Sequence, residues 1–298
     1  KNYSISSHPE ITLEANPDDQ TPDYIAMLRT LPFNRLSMGI QTFNESILKV
    51  LQRRHTARQA IEAFQNCRAA GFQNISIDLM YGLPGETLST WQQDLDQALL
   101  LHPEHLSAYH LIYEEDTVLW KLREQHKVEE ADEDLSVSLF STLIDRLTSE
   151  GYDHYEISNF SLPGLYSRHN SSYWTEKKYL GCGPSAHSYN GVSRQWNVAS
   201  LDTYIKGISA GTPVFEIEEL DLYTRYNDFV ITRIRTEWGM PLSKLRDEFG
   251  EKLYDYCLRM AAPHLKQGTL ELVNDILKLT RKGIFISDGI MSDMLWTD

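Results

Sequence analysis

The chain has 298 residues, 41% of them hydrophobic, and its 28 Lys+Arg against 42 Asp+Glu leave a formal charge of -14. That length suggests about two domains with a sizeable core. The acidic balance disfavours non-specific nucleic-acid binding, which needs a basic face to neutralise phosphate, and no apolar run approaches the ~20 residues of a membrane span.

The opening residues Lys1, Asn2, Tyr3 and Ser4 carry no apolar core of a signal peptide, which points to the cytoplasm. Residues Ile11 to Ala15 read as a strand that stops at Asn16-Pro17. Thr21 with Pro22 behind it then opens a helix with Tyr24, Ile25, Leu28 and Leu31 on one face. A second strand, Arg35 to Gln41, precedes a helix opened by Asn44. A third helix starts at Thr56 with Gln59 in capping-box position, buries Ala60, Ile61, Phe64 and Cys67, and ends at Gly71. The strand Asn74 to Tyr81 runs into the turn Gly82-Leu83-Pro84-Gly85. A helix around Leu88, Trp91, Leu95 and Leu99 follows, and Leu106 to Ile112 is the fourth strand. Short strands alternating with helices mark parallel βα units.

Beyond Tyr113 the alternation fades into an acidic stretch, Glu129 to Asp134, that reads as a solvated helix start followed by Leu135, Leu139, Leu143 and Leu147. From about Tyr152 to Val214 the sequence is rich in Gly, Ser, Asn and Tyr without clear periodicity, which predicts loops packed over a site. From Asp221 it reads as three helices and a hairpin across Asn274-Asp275, a small winged-helix layout. The expected division is therefore residues 1–150, 151–220 and 221–298.

In parallel αβ folds, ligands sit beyond the carboxyl ends of strands. Those ends carry Glu14, Gln41, Asp78, Tyr109 and His110, with Arg53 one helix after Gln41. Taken singly, each has a bland reading as a strand-end cap or surface charge. Together a carboxylate pair, a guanidinium fork and an amide suit an amino-acid nucleotide. Cys67, Cys182 and Cys257 are too dispersed in sequence for a ligand cluster, and their odd number argues against a disulfide framework. The histidines His8, His55, His102, His105, His126, His154 and His264 show no metal-ligand spacing.

Four segments carry a specific resemblance: Glu14-Ala15-Asn16-Pro17, Arg35 to Phe43, Ile77 to Thr87, and Leu180-Gly181-Cys182-Gly183-Pro184-Ser185-Ala186-His187. They resemble successive blocks of the oxygen-independent coproporphyrinogen III oxidase-like family of the radical S-adenosylmethionine (SAM) superfamily, over almost the whole chain. The resemblance implies an α/β fold, a partial TIM-like (β/α)6 barrel with its first two units missing, and a small, mostly helical, winged-helix-like domain of the HemN C-terminal type. It also implies that Glu14, Gln41, Arg53 and Asp78 hold SAM, with Ile112 and His187 on its adenosyl side. A further block, His169-Asn170-Ser171-Ser172-Tyr173-Trp174, is similar to the HNxxYW motif of the haem-chaperone branch. It implies haem as a ligand, His169 as its axial iron ligand, and Tyr173 and Trp174 against the porphyrin. The plain alternative is that His169 bonds to a neighbouring loop and Trp174 fills the core.

The CxxxCxxC loop that holds the [4Fe-4S] cluster in that superfamily is not in this sequence. A truncated chain is the expectation, with the cluster ligands in a missing N-terminal segment, because a natural loss of two inner strands would expose sheet edges. The implied function is haem delivery to acceptor proteins, membrane-associated ones among them, with no nucleic-acid partner. The rival is oxidative decarboxylation of coproporphyrinogen III. A DNA-binding regulator is a third reading, resting on the winged-helix-like end alone.

Overall fold

The structure, a computed structural model, describes residues 5–297 and forms two compact units, residues 1–167 and 168–298. The opening residues 1–4, on which the signal-peptide reading falls, lie outside the described residues. No described helix is long and apolar enough to cross a membrane.

The first unit is built from consecutive βα repeats. In chain order they are β1 (Thr12–Ala15), α1 (Pro22–Leu28), β2 (Arg35–Gln41), α2 (Glu45–Val50), α3 (Ala57–Ala69), β3 (Ile75–Tyr81), α4 (Leu88–Leu100) and β4 (His105–His110). Then come α5 (Val118–Glu124), α6 (Glu133–Ser149), β5 (Asp153–Glu156) and β6 (Asn159–Ser161). The six strands form one open sheet in the order β1-β2-β3-β4-β6-β5, parallel from β1 to β4 and antiparallel across β4-β6-β5. The parallel part is the expected partial barrel, with no closure into a ring among the described residues.

Local chemistry sets the element starts. Thr21, Asn44 and Thr56 cap their helices through side-chain oxygens, and Thr56 and Gln59 form the reciprocal capping box. Alternation sets the strand faces: Leu36, Met38 and Ile40 of β2 and Ile75, Ile77 and Leu79 of β3 are fully buried. Trp91, at the centre of the helix layer, donates its indole N–H to the Leu139 carbonyl at 3.0 Å, tying α4 to α6. Amphipathic detail differs from expectation in two helices. Tyr24 and Leu31 are exposed, leaving Ile25 and Leu28 to bury α1, and Ala63 rather than Ile61 is buried in α3.

Residues 153–161 are not loop. They add two strands to the sheet, pairing Leu106 with Phe160 and Ser107 with Asn159, and Tyr155 and Phe160 are completely buried. Strands this short carry too few alternations to be read among Gly, Ser and Asn.

The second unit begins with α7 (Arg168–Trp174), followed by β7 (His187–Tyr189), β8 (Ser193–Asn197), α8 (Leu201–Ser209) and β9 (Phe215–Glu219); β7-β8-β9 form an antiparallel sheet. The rest is α9 (Leu222–Ile234), β10 (Met240–Pro241), α10 (Leu242–Gln267), β11 (Leu270–Val273), β12 (Ile276–Leu279), α11 (Arg281–Ile284) and α12 (Ser287–Met294). α10 is broken at Gly250, where φ is +80°, and β11 and β12 turn through Asn274 and Asp275, both at positive φ. Helices with the three-stranded sheet β10-β12-β11 give the expected winged-helix-like layout.

The turn after β3 has a titratable clamp. Glu86 is buried and accepts the Gly82 and Leu83 backbone N–H groups at 2.7 and 3.2 Å, yet burial pushes its carboxyl up to about 7 from 4.5. Between those values the unfolded chain releases the proton while the folded chain keeps it, so this group's contribution to stability falls as pH rises through the window. Glu86→Gln is expected to gain in denaturation midpoint relative to wild type on going from about pH 4.5 to about pH 8. A pH-independent difference between the two midpoints would contradict the assignment.

Candidate functional site

On the inner face of the first sheet, most residues of β2, β3 and β4 that point away from the helix layer are polar: Arg35, Ser37 and Gln41, Ser76 and Asp78, His105 and Ser107. Asp78 is paired in register with Gly39 on one side and Ser107 on the other. Its carboxylate accepts from Ser37 Oγ at 3.2 Å to each oxygen. Burial raises the Asp78 carboxyl pKa, hydrogen bonds from Ser107 and Ser37 and the charge of Arg35 oppose that rise, and Glu14 adds to it. Below this carboxylate, His105 is fully buried between Ser76 Oγ at 2.8 Å and Tyr155 Oη at 2.7 Å. Burial holds that imidazole well below its ordinary pKa.

Gln41 closes β2 at φ +71°, where the β2–β3 register shifts. That conformation is uncommon for a side-chain-bearing residue and marks the position as strained. Arg53, half-buried after α2, donates through Nη2 to Asn16 Oδ1 at 2.9 Å and to the Gly39 carbonyl at 2.8 Å. Its Nε is buried without an acceptor, and burial lowers its pKa. A Cβ on Gly39 would stand 2.9 Å from Gln41 Nε2 and 3.5 Å from Arg53 Nη2, so glycine here leaves room for both side chains. Glu14, Gln41, Arg53 and Asp78 thus gather on strands β1 to β3 and the segment behind them. Ile112 follows β4, 71% exposed. Ser37, Ser107, Asn16 and Gly39 were missing from the sequence-derived set. Ser37, Gly39 and Gln41 share one face by the two-residue period, which was the available signal.

The other candidates belong to the second unit. His187 is exposed on β7, stacked at 5.9 Å on Trp196. The HNSSYW block, expected in a loop, is helix α7. Its four-residue spacing brings His169 and Tyr173 together, with Tyr173 Oη 3.1 Å from His169 Nε2 and the rings edge to face at 5.1 Å. His169 is exposed. Trp174 is half-buried, one ring face covered by the Arg235 guanidinium at 4.3 Å, and its Nε1 is buried without an acceptor.

Cys67 and Cys257 are buried and Cys182 is exposed, all three as free thiols; burial raises the Cys67 thiol to about 11. Among the described residues no three His, Cys, Asp or Glu side chains are grouped to hold a metal ion.

A profile of the radical SAM superfamily matches residues 2–98, and one of the HemN C-terminal domain matches residues 220–286. The haem chaperone HemW of Bacillus subtilis is 30% identical over 287 residues, 96% of this chain and 76% of the relative. HemW of Lactococcus lactis is 32% identical over 292 residues, 97% of this chain and 76% of the relative. Among solved structures, the Escherichia coli radical SAM enzyme coproporphyrinogen III oxidase (HemN) superposes with a TM-score of 0.82 at 22% identity, covering 98% of this chain and 71% of that one. That likeness speaks for the fold.

The Leu180–His187 block has its own steric logic. A Cβ on Gly181 would lie 2.1 Å from the His187 carbonyl oxygen, while Gly183 donates its N–H to the Tyr204 hydroxyl and accepts the Asn197 amide N–H at its carbonyl. Gly181→Ala must displace backbone, and overpacking of this kind costs about 1–3 kcal/mol. The second unit of that variant is expected to unfold at lower denaturant, and an unchanged midpoint would show that the approach is not tight.

Proposed function

The chain belongs to the HemW haem-chaperone family within the radical SAM superfamily, and from that premise we propose that it binds haem and passes it to acceptor proteins. The observation at the site that carries the reading is His169: an exposed imidazole on a short helix, held in orientation by Tyr173, in the block that resembles the haem-chaperone motif. A neutral imidazole nitrogen is a natural axial ligand for haem iron. Nε2 is engaged by the Tyr173 hydroxyl, so ligation through that atom exchanges a hydrogen bond for the metal. Arg235 already covers one face of Trp174, which leaves Tyr173 as the more accessible ring for contact with a porphyrin edge. The free cysteines fit a reducing compartment, and we assign the cytoplasm as the setting.

Membership of the superfamily implies SAM and an iron–sulfur cluster. The residues of the first unit fit SAM. Arg53 has an uncommitted buried Nε and would take the methionyl carboxylate, and Asp78, supported by Ser37, would accept from ribose hydroxyls. Glu14 and Gln41 complete the polar set. When bound, SAM supplies a sulfonium that can be reductively cleaved. The cluster is a different matter. The three cysteines of this chain do not fit one, since Cys67 and Cys257 are buried in separate units.

Two outcomes test the proposal. Arg53→Ala should weaken SAM binding to the chain, and Arg53→Lys should recover part of it, because lysine keeps the charge and loses the fork. A lost charge-assisted hydrogen bond corresponds to roughly ten- to a hundredfold in affinity. Equal dissociation constants by calorimetry would remove Arg53 from the site.

His169→Ala should shift the Soret and visible bands of bound haem and speed its loss to an apo-globin acceptor, while SAM affinity stays as in wild type. Unchanged haem spectra and retention would reject His169 as the ligand.

A further inference from the structure

Within the second unit, α7, the β7–β8 hairpin, α9 and α10 enclose a cavity of roughly 210 Å3. One wall is aromatic, with Tyr173, Trp174, Tyr179, Tyr189 and Phe249. The others carry Glu176, Asp228 and Glu248 together with Lys177, Arg194 and Arg225. All three carboxylates are committed. Asp228 is paired with Arg194, Glu176 with both Arg233 and Lys244 at 2.8 Å, and Glu248 with Lys244 at 3.4 Å. Arg225 and Lys177 have no carboxylate partner among the described residues. Two buried atoms of the lining residues, Arg225 Nε and Trp174 Nε1, are hydrogen-bond donors with no acceptor. An aromatic wall and acidic residues would suit a cation if the acids were free, but here the unmet demand is for an acceptor carrying negative charge.

We propose that this cavity is a carboxylate-binding site and that, on the haem reading above, on which this assignment rests, it takes one propionate of the porphyrin. Arg225 and Trp174 Nε1 supply the donors, and exposed Lys177 adds positive charge at the rim. Size fits a side chain and not the ring: cavities that enclose drug-sized ligands run to about 300–1,000 Å3, above this one. The macrocycle then stays outside, near Tyr173, which lines the cavity and carries His169 on its hydroxyl. One short helix would thereby present both the axial ligand and the wall of the propionate site.

The test titrates the chain with haem, metal-free protoporphyrin IX and the dimethyl ester of each, followed by Soret absorbance. Arg225→Ala is expected to weaken the two free acids roughly tenfold or more and to leave the esters unchanged. Arg225→Lys should fall between, and Trp174→Phe, which keeps a ring and loses the N–H, should weaken the acids by less. Sodium propionate, followed by the Trp174 indole N–H resonance, separates this proposal from the haem reading. A saturable shift that Arg225→Ala abolishes supports the carboxylate site even where haem does not bind. Esters that bind wild type as tightly as the acids, or no response of the Trp174 resonance to propionate, overturn it while leaving ligation by His169 standing.

Discussion

A carboxylate set among the inner-face side chains of a parallel sheet must find donors, and the first unit is arranged around that requirement at Asp78. Its neighbours in register are a glycine and a serine, and a second serine from β2 reaches both oxygens. Arg35 contributes charge from the same strand as Ser37. The opposite face of these strands is closed by Leu36, Met38, Ile77 and Leu79 against helices, so the polar residues have one side of the sheet to occupy. The pleat thus separates a structural face from a chemical one. Residues that lie on the chemical face at the ends of β1, β2 and β3 are then neighbours, however distant in sequence.

The same separation explains why Gly39 and Gln41 belong together. A side chain at position 39 would crowd the amide of Gln41 and the guanidinium of Arg53, and the register shift beside it turns Gln41 into the left-handed region. Arg53 in turn holds the Gly39 carbonyl and Asn16, which joins the ends of β1 and β2 without consuming all of its donors. Support and spare capacity reside in one side chain, which is what a pre-organised binding group requires.

In the second unit the governing balance is between paired acids and unpaired donors. The ion pairs of Glu176, Asp228 and Glu248 hold α9, α10 and β8 in place around a void, while Arg225 and Trp174, which line it, carry buried donor atoms without acceptors. Unsatisfied donors in a wall that is otherwise well paired are a cost that a ligand oxygen would relieve. Helix α7 stands at this wall, so the haem-chaperone-like block contributes to a cavity as well as to the exposed surface.

Much of the fold was legible without coordinates, because helix caps and strand alternation are local. Thr21, Asn44 and Thr56 announce their helices through hydroxyl and amide oxygens placed before apolar periods, and Asn274-Asp275 announces its hairpin through tolerance of positive φ. Glu14, Gln41, Arg53 and Asp78 could be nominated because parallel strands deliver their ends to one side. Tertiary structure alone decided the rest. The strands of residues 153–161 exist because β4 offers an open edge on which Phe160 and Asn159 pair, a fact about a neighbour more than forty residues away that no local period encodes. Helix α7, read from sequence as loop, is covered from a distant segment by Arg235 over Trp174. Ser37 and Ser107 acquire meaning only when the register sets them beside Asp78, and Arg225 and Trp174 only when the pairing of every nearby acid is known. Sequence determines what each residue can offer locally; which offers are met, and which are left open for a ligand, depends on contacts that packing alone creates.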